Sequence, residues 1–225
     1  MLKPILVAAI ATAAMATSAS AATLSGDFKV TAFHVTNLNS SESQATEGNF
    51  LAASDGSLGG DDSVITTDMF NYSGELDFET RDGTSSTIGS WLLTGTEDGV
   101  TGLNSDFATL QLSKGSIGNG TATTTFFLFE TVLNMFGDFT VIHDDGIAIF
   151  DDGELLGGRV GPTSKTTSIV NGFTGGEFSL LYVATNSDPS ILNVDGQLTP
   201  IPLPATLPLL LVGMGGIAMM RRKRA

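Results

Sequence analysis

Apolar and polar residues alternate over short stretches of this chain. In DFKVTAFHV, Phe28, Val30 and Ala32 share a face, and in GELDFET, Leu76 and Phe78 do. A period of two places alternate side chains on opposite sides of a half-buried strand. TTTFFLFETVL, DFTVIHDD, GIAIFDD and EFSLLYVAT are rich in β-branched and aromatic residues, and Gly, Asp, Asn and Ser separate them. That is the composition of strands and turns. No window of helical length carries a sustained 3.6-residue apolar repeat, and the 27 glycines weaken helices further. The expected fold is therefore all-β, an antiparallel β-sandwich or jelly roll, because each one-sided sheet must bury its apolar face against another. Residues 39–63, mostly small and polar, are expected to form a long surface loop, with NFLAA as a brief helical turn. No repeat at solenoid or propeller spacing is present, so the body reads as one unit.

The two ends differ from this pattern. Residues 1–22 place Lys3 before an apolar stretch and finish in Ala19-Ser20-Ala21, the organisation of a secretory signal peptide. Residues 201–220 carry no charge, and about 20 such residues let a helix cross a bilayer core of roughly 30 Å. Pro202, Pro204 and Pro208 restrict the start of that helix. Arg221, Arg222, Lys223 and Arg224 follow at once, and positive charge beside a spanning segment stays in the cytoplasm, which leaves the body on the far side. The division is a leader over 1–22, a β body over 23–199 and a C-terminal unit over 200–225. An ordinary membrane anchor and a removable sorting signal both satisfy this physics.

The order Ile201-Pro202-Leu203-Pro204-Ala205, apolar run, basic cluster resembles the PEP-CTERM class of bacterial sorting signals in its VPLPA form, with isoleucine in place of the first valine. That resemblance covers the last 25 residues. It implies recognition and processing by an exosortase-type membrane peptidase, a Gram-negative source, association with exopolysaccharide, and delivery to the cell surface or extracellular matrix.

Charge narrows the partners of the body. Of 10 Lys and Arg residues, Lys3 lies in the leader and four lie in the tail, which leaves 5 against 24 Asp and Glu, or 5 − 24 = −19. Such a field repels nucleic acid and anionic membranes, whose phosphates need clustered Lys or Arg. It suits either plain solubility or a protein that meets divalent cations. The chain has no cysteine, so disulfides, thiolate zinc sites and thiol nucleophiles are excluded.

The most informative internal stretch is FTVIHDDGIAIFDDGELL, where Asp144-Asp145-Gly146 and Asp151-Asp152-Gly153 recur seven residues apart. Asp-Gly favours the positive φ of tight hairpins, so two successive turns account for the spacing. Alternatively, adjacent carboxylates with nearby carbonyls form a calcium site, since calcium takes six to eight hard oxygens; Asp144 and Asp145 are then the metal pair. The strand, Asp-Asp-Gly, strand, Asp-Gly order also resembles protective-antigen-type β-sandwich lectin domains. That resemblance, over about 30 residues, implies calcium at Asp144 and Asp145 and sugar bound there. It puts Asp151, Asp152 and Gly153 on a turn beyond the next strand and Asn171 in the place of the later asparagine ligand.

Catalytic signatures are missing: there is no G-x-S-x-G, H-E-x-x-H, P-loop or G-x-G-x-x-G. His34 and His143 each sit in a strand-like run and read as structural, as Trp91 and Tyr182 read as core. The sequence thus describes an exported, surface-sorted structural or interaction protein with no catalytic residue assigned. A calcium-dependent glycan-binding module is the alternative, and a glycan hydrolase the second alternative.

Overall fold

The alternating stretches become the strands of two antiparallel sheets in the computed structural model, which describes residues 21–80, 86–96 and 99–201. The leader, Pro202, Leu203, Pro204, Ala205 and the basic residues Arg221, Arg222, Lys223 and Arg224 lie outside those residues. Among the described residues no helix is long and apolar enough to cross a membrane.

One sheet has the order β1 (Ala22–Thr23), β12 (Ile191–Pro200), β7 (Met135–Asp144), β10 (Thr166–Phe173), with β4 (Asp77–Glu79) beside β1 on the same edge of β12. The other runs β5 (Val100–Thr101), β3 (Ile65–Glu75), β2 (Ser25–Thr36), β6 (Thr123–Leu133), β11 (Gly176–Ala184), β8 (Ile147–Asp151), β9 (Glu154–Gly157). The all-β expectation therefore holds.

Between the sheets lies the main core. Phe28, Val30, Ala32, Leu76 and Phe78 all enter it, as their alternation requires. Each large side chain buried there contributes about 1.5–3 kcal/mol. Trp91 arrives on α2 (Ile88–Leu92), a short helix whose Thr87 and Ser90 form a reciprocal capping box. Its ring stacks on Phe78 at 4.5 Å and on Tyr182 at 5.3 Å.

The opposite face of the larger sheet is also apolar. Phe33, Val35, Phe126, Ala148, Phe150, Leu181 and Val183 form a second cluster there, and that surface needs a cover. Residues 37–64 supply one, which corrects the expectation of a plain surface loop. Thr46 accepts a hydrogen bond from the Asn49 N–H and starts a nine-residue helix, α1 (Glu47–Asp55), which closes at Gly56 with φ 82°. Phe50 meets Phe33 edge-on at 5.0 Å, and Ala45, Ala53 and Leu58 are buried. Packing against the sheet, rather than helical periodicity, holds this segment.

The chain changes sheets repeatedly. The step from β7 to β8 matters most for function, since only Asp145 and Gly146 carry it from the smaller sheet to the larger.

Candidate functional site

Crossing between sheets in two residues forces an unusual backbone. Asp145 adopts φ +76°, a left-handed conformation that Asp tolerates better than bulkier side chains. Gly146 follows because a Cβ there would lie 2.2 Å from the Val160 carbonyl oxygen. The two Asp-Gly steps thus differ. Asp152-Gly153, at φ 49° and 81°, turns a two-residue hairpin between the paired Asp151 and Glu154, whereas Asp145-Gly146 is no hairpin. The expectation of two successive tight turns is corrected on this point.

The crossover is laced to its neighbours. The Asp145 N–H donates to the Thr163 carbonyl (3.1 Å), the Ile147 N–H to that of Arg159 (2.9 Å) and the Val183 N–H to that of Gly146 (2.9 Å). Carbonyls only accept, so the 2.6 Å contact from His143 Nδ1 to the Asp145 oxygen fixes the proton on Nδ1. His143 Nε2 then accepts from Ser168 Oγ at 2.8 Å. Burial lowers the His143 pKa, so the ring is a neutral brace. The Tyr182 hydroxyl donates to the Asp144 carbonyl at 2.9 Å, and Trp91 Nε1 donates to the Ser190 carbonyl at 3.2 Å. The aromatic stack of the core therefore buttresses the crossover and the 185–190 loop together.

Above this base lies an open cleft of about 400 Å³, with Asp144 and Asp145 at its floor, Pro162, Thr163 and Ser164 on one side and residues 186–189 on the other. Asp145 is 1% exposed and Asp144 8%. Asp145 Oδ2 accepts from the Thr185 N–H at 2.7 Å, and the Asn186 side chain also hydrogen-bonds this carboxylate. Asn186 Oδ1 accepts from the Ile117 N–H at 3.1 Å. Burial pushes the Asp145 carboxyl up to about 8, opposed by the Thr185 N–H and reinforced by the charge of Asp144. Burial raises Asp144 as well, against the backbone N–H of Lys165. The charge of Lys165 also opposes that rise, while its ammonium pairs with Glu79 at 3.7 Å.

Strain is concentrated here. Among the described residues, Asn37, Asp145, Asp152, Asn186 and Ser187 are the non-glycine positions with positive φ, and three of them line this cleft. Residues held in sparsely populated conformations gather at ligand sites.

No group of three or more His, Asp or Glu side chains placed to hold a metal occurs among the described residues. Besides Asp144 and Asp145, the oxygens that line the cleft are the Asn186 amide, the hydroxyls of Thr163, Ser164 and Ser187, the Asp188 carboxylate and backbone carbonyls, which water would supplement around a cation. Hard, mostly neutral oxygens around two carboxylates fit calcium in kind.

The remaining candidates lie elsewhere. Asn171 is exposed on β10, five residues beyond Thr166, the partner of His143, and so roughly 17 Å along the strand. The structure does not bring it to the aspartates; Asn186 stands there. Asp151 and Asp152 sit at the far end of β8, where Asp151 Oδ2 accepts from the Thr174 N–H and hydroxyl, each at 2.8 Å, and Asp152 Oδ1 accepts from the Glu177 N–H at 2.8 Å. His34 is buried on β2, and Trp91 and Tyr182 are core residues. Sequence inspection missed residues 162–164 and 186–189. TNSDPS at 185–190 is legible as a loop, but nothing local links it to Asp144.

No family model matches the chain, and no curated protein matches it. Among solved structures it is similar to the PA14 sugar-binding domain from an RTX adhesin, at 13% identity over 77% of this chain and 90% of that one, with a TM-score of 0.47. It is also similar to the PA14 domain of the MpAFP antifreeze protein, at 14% identity over 77% of this chain and 84% of that one, with a TM-score of 0.45. The chemistry of the cleft rests on its own side chains.

Proposed function

We propose that this is an exported, surface-sorted interaction protein whose body binds a glycan through calcium held at Asp144 and Asp145. One observation carries the reading: two adjacent carboxylates are buried at the floor of an open cleft, and among the described residues neither forms an ion pair. Burying carboxylates without an ion pair is costly even where they are hydrogen-bonded, and a divalent cation would turn the repulsion between this pair into attraction. Calcium supplies open coordination positions that adjacent sugar hydroxyls can fill. Asp144 and Asp145 hold the ion, His143 and Tyr182 fix their backbone, and Asn186 orients the Asp145 carboxylate. Thr163, Ser164 and Ser187 offer hydroxyls at the rim. Both histidines are neutral and committed to structural bonds, which supports binding over acid–base chemistry.

Melting in calcium, magnesium and chelator tests this. An ion at 100 times its dissociation constant adds about 2.7 kcal/mol, roughly 5–11 °C for a domain of this size. Magnesium should add less, because it demands a tight octahedron. Asp144→Asn with Asp145→Asn should abolish most of the calcium shift and calcium-dependent binding on a glycan array. An undiminished shift in the double variant would refute the site.

For the ends of the chain, the sorting reading predicts mature protein that lacks the leader and, in a host with the matching peptidase, the basic tail. Intact-mass spectrometry checks this. Arg221, Arg222, Lys223 and Arg224 retained in all surface material would leave a plain anchor.

A further inference from the structure

The cleft and the C-terminal segment lie at opposite ends of one strand. β12 leaves the 185–190 loop at Ile191, paired with Asp144, and ends at Pro200, paired with Met135. Nine residue steps at about 3.3 Å separate the two poles by roughly 30 Å.

At the second pole the chain is bonded to the body as far as Ile201. The Ile201 N–H donates to the Asn134 carbonyl at 3.2 Å, so the body holds its chain up to the first residue of the uncharged 201–220 stretch. The Ile201 side chain is seated over Gly175, where an added Cβ would lie 2.6 Å from its Cδ1. A single residue, Asn134, joins β6 to β7 beside it. Flanking that crossover, Val132 is 63% exposed and Phe136 43%, and Ile201 itself is 46% exposed. Asp138 and Glu177 are nearby acids, so attraction to anionic headgroups would not drive contact.

We infer that the pole formed by Val132, Asn134, Phe136 and Ile201 is a contact surface for a zwitterionic lipid bilayer, and that the cleft of the membrane-attached protein faces away from its own membrane, toward partners on other surfaces. This rests on residues 201–220 entering a bilayer, as the function proposed above requires before processing. Attachment through Ile201 brings this pole, not the cleft, nearest the lipid surface, and the exposed apolar side chains then gain from leaving water.

The absence of cysteine makes the test direct. Asn134→Cys and Ser164→Cys, both at exposed positions, are labelled separately with an environment-sensitive dye in the full-length chain. Each is reconstituted into phosphatidylcholine vesicles containing a nitroxide-headgroup quencher. The label at 134 should be quenched several-fold more than that at 164. Val132→Ser with Phe136→Ser should keep flotation and lower the quenching at 134. Equal or reversed quenching in floating vesicles overturns the orientation while leaving the anchor intact. Quenching unchanged by the serine pair overturns the contact surface. Failure to float removes the anchor reading and this inference with it, while calcium binding by the body is measured separately and stands or falls alone.

Discussion

Lowering the pH should draw down the share of stability that depends on a neutral His34. The imidazole is buried on β2, where Nδ1 lies 3.0 Å from Thr125 Oγ1, and that hydroxyl donates to the Leu112 carbonyl. With its proton spent on Leu112, Thr125 can only accept, so His34 is the Nδ1–H tautomer. Burial lowers its pKa from 6.5 to about 4. As pH falls below 6.5 the unfolded chain takes up the proton first, so stability is full above 6.5, declines between 6.5 and 4, and is flat below that range. A gap of 2.5 pH units amounts to about 3 kcal/mol, or roughly 6–12 °C in melting temperature at this size. His34→Asn keeps a donor for Thr125 and cannot charge. Urea unfolding of both proteins from pH 7 to 4, in chelator, isolates the effect, because the carboxylates respond alike in the two. Identical pH slopes would refute the burial argument.

Other consequences follow from the same geometry. Asp145→Asn retains an acceptor for the Thr185 N–H and tolerates φ +76°, yet removes a buried carboxyl held up at about 8. In chelator the variant should melt several degrees above wild type, with the gap widening as pH rises from 4 to 8, and it should lose the calcium response; a lower melting point would count against the buried charge. Gly146→Ala drives a Cβ to 2.2 Å from the Val160 carbonyl and should cost at least about 2 kcal/mol while weakening the calcium shift, measured by calorimetry. Trp91→Phe leaves the Ser190 carbonyl with the Thr80 N–H alone and shrinks a buried ring, and should cost about 1–2 kcal/mol in a denaturant titration followed by circular dichroism.

What the sequence reveals depends on how local the cause is. Alternation placed Phe28, Val30, Ala32, Leu76 and Phe78 on the core face because pleating is a property of neighbouring residues. The Asp-Gly hairpin at 152–153 was equally legible, since its turn is set by two φ angles. Asp145-Gly146 has the same letters, but its conformation answers to a change of sheet that brings Val160 against Gly146. α1 was understated because its support is the outer face of β2, β6, β8 and β11, scattered over more than a hundred residues. Asn186 was invisible as a partner of Asp145 for the same reason: 41 residues separate them, and only the β11–β8 pairing brings them together.

β12 lies between β7 on one side and β1 with β4 on the other. A pull between Asp144, at the cleft end of β7, and Ile201, beyond the opposite end of β12, passes from one strand to the other. Antiparallel ladder bonds stand perpendicular to the strands, so such a load falls in shear on all ten residues paired with β7, instead of peeling them off one at a time. Tension between these two points must rupture a whole ladder at once, which makes the direction of pulling, as much as the equilibrium stability of the fold, decide how long the domain survives under force.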